Sequence, residues 1–148
     1  MQKVCLSSIQ SNTHIVNIIV SKVNRSFMAL AALLGAAGVA LGAYASHGLT
    51  NWASAQQVDY FQLAVTYQLF HAITLLLVSV TGFFINNRYL LLSQLMFVVG
   101  ILFFSGSLYL YVFTGTKMLG MITPIGGLLL IIAWLMFAVS IIRNSSKC

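Results

Sequence analysis

Acidic side chains are almost missing from this chain. Asp59 is the sole side-chain carboxylate in 148 residues, and charged residues of both signs make up 5%, against about 25% in an ordinary water-soluble domain. So few charges cannot cover a water-facing surface, which excludes a soluble globular domain. The lack of acids also leaves no Ser-His-Asp constellation and no membrane-embedded carboxylate of the kind proton pumps use. A relay built on histidine alone stays open. Cysteine occurs only as Cys5 and Cys148, at opposite ends, a spacing that makes neither a disulfide framework nor a metal motif. The lone proline, Pro124, is followed by Gly126-Gly127 inside an apolar run rather than after a strand, so no phosphate-binding loop is present.

What the chain has instead is long apolar runs, with 60% hydrophobic residues. Four of them approach the ~20 residues that a bilayer core requires: about 26–45, 66–85, 89–112 and 123–142. The fold class expected is all-α, an integral membrane four-helix bundle over 26–142. A polar tail over 1–25, expected to be disordered, precedes it, and a short tail over 143–148 follows. Met28 is an alternative start. Thr123-Pro124 reads as the beginning of the fourth helix, because threonine can cap free N–H groups and proline suits the first helical position.

The first run organises the rest. Ala31, Gly35, Gly38, Gly42 and Ser46 recur at helical spacing, the pattern of a membrane helix that others approach closely. Gly35, Gly38 and Gly42 are the candidate helix-packing positions, and both packing within one chain and a homo-oligomer contact fit them. A cleaved signal peptide is the rival reading, with Lys22 and Arg25 as its basic region and Ala43-Tyr44-Ala45 as its cleavage site. The run exceeds the usual 7–15 residues of such a segment, which favours retention.

The net charge of +6 is read as topology, because the cations lie between the apolar runs. Lys3, Lys22, Arg25, Arg88, Arg143 and Lys147 fall on one side of a four-span protein and Lys117 on the other. The positive-inside rule then places both termini in the cytoplasm, with a bacterial inner (plasma) membrane as the expected location. The expected partners are the lipid bilayer and either further copies of the chain or another membrane protein, with no nucleic acid.

Tyr60, Ala64, Tyr67, His71 and Thr74 share one helical face, with Gln68 beside it. A polar stripe on a membrane helix must face protein or water. His47, Ser107, Tyr109 and Thr123 fall toward the same outer side. The expectation is a polar pocket of His47, Tyr67, Gln68, His71, Ser107, Tyr109 and Thr123 near the outer face, over an inner half that is almost purely apolar. These groups are either hydrogen-bonded adhesive between helices, worth about 0.6–2 kcal/mol each, or a ligand or proton site centred on His71. Two histidines are too few for a closed zinc shell. Haem needs only two axial ligands, yet nothing beyond His47 and His71 suggests a porphyrin site. No metal, cofactor or catalytic residue is assigned, and an enzyme is not expected.

Three stretches together, GAAGVALGAYASHGL (35–49), YQLFHAITLLL (67–77) and GSLYLYVFTGT…MITPIGGLLLIIAWLMFA (106–138), resemble the domain of unknown function 423 family. This family takes in YgdD-like UPF0382 inner-membrane proteins and the transmembrane protein 256 group. The resemblance covers about residues 28–142. It implies a small protein of about four membrane helices and no established activity. By position Gly42, His47 and Gly48 match the first motif, and Tyr67, Gln68 and His71 the second. Gly106, Ser107, Tyr109, Thr123, Pro124, Gly126, Gly127 and Trp134 match the third.

Overall fold

The computed structural model describes the backbone of residues 2–145 and the side chains of residues 20–143. Four helices follow one another: α1 (Gln2–His47), α2 (Ala55–Thr81), α3 (Arg88–Thr114) and α4 (Met118–Ser145), with a short 3-10 turn at Leu49–Asn51 between the first two. All four contain stretches long and apolar enough to cross a membrane. A helix apolar on every side satisfies its backbone internally and leaves its side chains to lipid or to neighbouring helices. The all-α membrane architecture expected from the apolar runs is therefore the observed one.

The boundaries differ from the sequence expectation in ways that local chemistry explains. The tail expected over 1–25 falls mostly on residues whose side chains lie outside those described. Its backbone is not disordered but helical from Gln2 onward, as part of α1, with Asn24 buried. The second helix begins at Ala55 rather than 66. Ser54 accepts from the Gln57 backbone N–H, and the Gln57 side chain accepts from the Ser54 N–H, a reciprocal cap that fixes the start. The stretch from Asp59 to Gln68 is therefore part of this helix. The fourth helix begins at Met118, so Pro124 sits inside α4 and does not open it. Asn87 caps α3 by accepting from Leu90 N–H at 3.0 Å. Gly115 ends α3 at φ 68°, a left-handed turn that glycine adopts without strain.

Each helix packs chiefly on its neighbour in the chain: α1 on α2, α2 on α3, α3 on α4. One end of the molecule carries His47, Ala55, Thr114 and Met118. The other, the Arg88 end, carries Val20, Thr81, Arg88 and Arg143. A core around Ala31, Leu75, Val78, Phe97, Ile101 and Leu130 fills the bundle toward the Arg88 end. A second, around Ala45, Leu49, Phe61, Val65 and Val112, closes the His47 end.

Glycine sets the closest approaches. A Cβ on Gly38 would lie 2.7 Å from Leu69 Cδ2, and one on Gly42 would lie 3.3 Å from Val65 Cγ1. Both glycines thus face α2 of the same chain, while Gly35 has open space around it. The tightest crossing lies elsewhere. Gly126 of α4 sits against the Phe104 backbone of α3, where a Cβ would overlap the main chain.

Candidate functional site: a polar lattice within the membrane

The sequence-selected polar residues do not converge on one pocket. They divide into three groups, with His47 apart from all of them.

The first centres on Gln68, at the midpoint of α2. Its Nε2 donates to the Leu34 carbonyl of α1 at 2.8 Å, and its Oε1 accepts from the Tyr109 hydroxyl of α3 at 3.0 Å. A single buried amide therefore joins three helices. Nearby, Ser105 Oγ of α3 donates to the Ala64 carbonyl at 2.8 Å. Gln57 Nε2 donates to the Val112 carbonyl at 3.4 Å. The two pairs fit a single antiparallel register, since seven residues along α2 match seven along α3.

The second group joins α3 to α4. Ser107 Oγ lies 2.8 Å from Thr123 Oγ1. Thr123 also borders an open groove of about 570 Å³, whose walls include Tyr60, Leu63, Phe104, Leu108 and Lys117.

The third is His71. It is 5% exposed, and its Nδ1 lies 2.8 Å from the Tyr67 carbonyl of its own helix. A carbonyl only accepts, so Nδ1 carries a proton, and in the neutral ring Nε2 then keeps its lone pair. Aromatic rings surround it: Phe70 at 5.1 Å, Tyr67 at 5.7 Å and Phe97 at 5.9 Å between centroids. Tyr67 itself stacks on Phe104 at 4.3 Å.

His47 stands apart from all of these. It is exposed at the end of α1, where its carbonyl accepts from Asn51 Nδ2. Because α2 starts at Ala55, His71 lies sixteen residues, roughly 24 Å of helix, inward from that end. This corrects the expected depth: His71 and Gln68 occupy the middle of the span, and the two histidines do not share a site. Among the described residues no three His, Cys, Asp or Glu side chains group together as metal ligands.

The expected apolar half is also corrected. Toward the Arg88 end, Asn24, Ser79, Ser93, Gln94 and Ser140 are all buried. Ser93 Oγ donates to the Ala133 carbonyl at 2.9 Å, and Asn87 Nδ2 donates to the Ser140 carbonyl at 2.9 Å. The signal was present in the sequence as isolated amides, Asn24 and Gln94, within or beside apolar runs. At the membrane edge Tyr89 accepts from Arg88 Nη2 at 3.2 Å and from Arg143 Nη1 at 2.6 Å.

This geometry sits on a recognisable sequence. A family profile described as "Protein of unknown function (DUF423)" matches residues 41–127. The chain belongs to the DUF423 family. It is 38% identical over 120 residues to a UPF0382 membrane protein of Haemophilus influenzae, covering 81% of this chain and 96% of that one. It is 40% identical over 114 residues to the UPF0382 membrane protein SAB0533 of Staphylococcus aureus, covering 77% and 93%. For the UPF0382 membrane protein YwdK of Bacillus subtilis the identity is 34% over 119 residues, covering 79% and 96%. No solved structure matches the chain. For this DUF423 member, the profile takes in Gln68, His71, Ser107, Tyr109 and Thr123 and stops short of Asn24.

Proposed function

We propose that this DUF423 protein is an accessory component of the bacterial inner (plasma) membrane, acting through contacts with other membrane proteins or further copies of itself, and not as an enzyme. The observation that carries this reading is where the intramembrane polar groups are spent. Gln68, Tyr109, Ser105, Ser107, Thr123 and Ser93 all bond to other helices of the same chain. They act as the adhesive that a bundle needs in lipid, and among the described residues none of them hydrogen-bonds to the His71 side chain, whose partner is the Tyr67 carbonyl. Both termini lie in the cytoplasm in this reading, because the cations gather at the Arg88 end and Lys117 stands alone at the other.

The test is native mass spectrometry of the full chain in mild detergent, wild type beside His71→Ala. A protein partner or a second copy carried equally by both supports the accessory role. A bare monomer in both refutes it.

A second reading, small-molecule or proton binding at His71, is favoured by one feature: the Nδ1 bond to Tyr67 leaves Nε2 as an acceptor in a buried aromatic setting. A small molecule retained by the wild type and lost from His71→Ala supports that reading over the first.

A further inference from the structure

The buried polar groups at the Arg88 end form a chain of hydrogen bonds that does not close. Ser79 Oγ donates its single proton to the Leu75 carbonyl at 2.6 Å, so toward Gln94 it can only accept. The Gln94 atom facing it at 3.4 Å is therefore Nε2. That same nitrogen lies 3.1 Å from Asn24, so Asn24 turns its Oδ1 to Gln94. Asn24 Nδ2 is then left over, with two N–H donors and no partner, on a side chain that is 4% exposed. A buried donor without an acceptor is costly in any protein and more so within a membrane.

The surroundings are built around this amide. Gly82 leaves it room, since a Cβ there would lie 2.5 Å from both Asn24 Oδ1 and Nδ2. Asn24 lines a cavity of about 160 Å³ together with Asn86, Asn87 and Gln94, and the apolar part of its wall includes Val20, Val23 and Leu91. That is several times the roughly 30 Å³ that one water occupies, and the amides gather on one side of the cavity with an apolar wall of Val20, Val23 and Leu91 beside them, the pairing of polar head and hydrocarbon that an acyl chain presents. The cavity lies beside the Ile85–Asn87 turn, at the depth where acyl chains meet their polar heads.

We propose that this cavity binds the carbonyl end of an acyl chain. Asn24 Nδ2 donates to a carboxylate or ester oxygen, and the hydrocarbon lies along Val20, Val23 and Leu91. A free fatty acid and a glycerolipid present the same oxygen.

The test uses the full chain in delipidated detergent, titrated with dodecanoate or with palmitoyl-oleoyl phosphatidylglycerol and read by native mass spectrometry. One bound molecule per chain is expected, with affinity falling about tenfold in Asn24→Leu, the loss of roughly one hydrogen bond. Binding of dodecanoate identifies the carboxylate as the recognised group, and binding of the phospholipid alone identifies the ester. Equal affinity in Asn24→Leu overturns the proposal. So does retention of neither probe, the result for a cavity that holds water. Should Asn24→Leu fail to fold, photolabelling of the wild type with a diazirine-bearing fatty acid decides. Label on Val20–Asn24 and Ile85–Leu91 supports the site, and label spread elsewhere overturns it.

Discussion

Tyr109 and Gln68 are hydrogen-bonded at 3.0 Å although they stand about eight residues, roughly 12 Å, out of step in the α2–α3 register. The bond closes because side chains lean toward the N-terminus of their own helix. In an antiparallel pair the phenol of Tyr109 and the amide of Gln68 therefore reach toward each other. Tyr109→Phe should lower resistance to unfolding in detergent by about 0.6–2 kcal/mol. Gln68→Leu should cost more, since it also frees the Leu34 carbonyl. A double-mutant cycle read by SDS titration should give a coupling energy for the pair; additive losses would mean that the bond contributes nothing.

Glycine substitutions should separate by what each Cβ would meet. Gly126→Ala should be the most damaging, because its methyl group would overlap the Phe104 backbone, and main chain cannot swing aside. Gly38→Ile should disrupt packing against Leu69, whereas Gly35→Ala should leave thermal stability within about 0.5 kcal/mol of wild type, as at an uncrowded surface site. Comparable losses at Gly35 and Gly126 would contradict the observed packing.

The start of α2 depends on the reciprocal Ser54–Gln57 cap. Ser54→Ala should cost about 1 kcal/mol and raise hydrogen exchange at the backbone amides of residues 56–58, with exchange near His71 unchanged. Faster exchange throughout α2 would show a loss of packing instead.

Topology is open to direct labelling. With Cys5 and Cys148 replaced by serine, a cysteine at Thr116 should react with an impermeant maleimide in intact cells, and one at Asn86 only after lysis. The reverse pattern would invert the orientation inferred from the cations.

The number and type of helices were legible because each apolar run is long, and the runs are separated by residues such as Asn86-Asn87-Arg88 that lipid cannot hold. Helix starts were less so. The Ser54–Gln57 cap was visible as serine followed three residues later by glutamine, but hydropathy drew attention to the apolar stretch beyond it. That misplaced the start of α2 and put His71 too near the surface. Gly38 and Gly42 were marked for close packing and do pack closely. Gly126 was not marked as a packing position, because sequence alone cannot say which small residue meets a backbone. The polar residues were correctly selected as inward-facing at Gln68 and Tyr109. Their partition into separate bonds depends on register, which no single helix specifies.

Because each helix rests chiefly on a neighbour in the chain, packing can follow the order of synthesis. Every helix after the first finds a packing neighbour already in the bilayer, although α3 gains its most extensive contact only when α4 arrives. The Asn24–Gln94 link between α1 and α3 can form only once the third helix has arrived. Assembly of this protein is thus a sequence of short-range dockings, sealed at the Arg88 end by a contact that spans two intervals of chain growth.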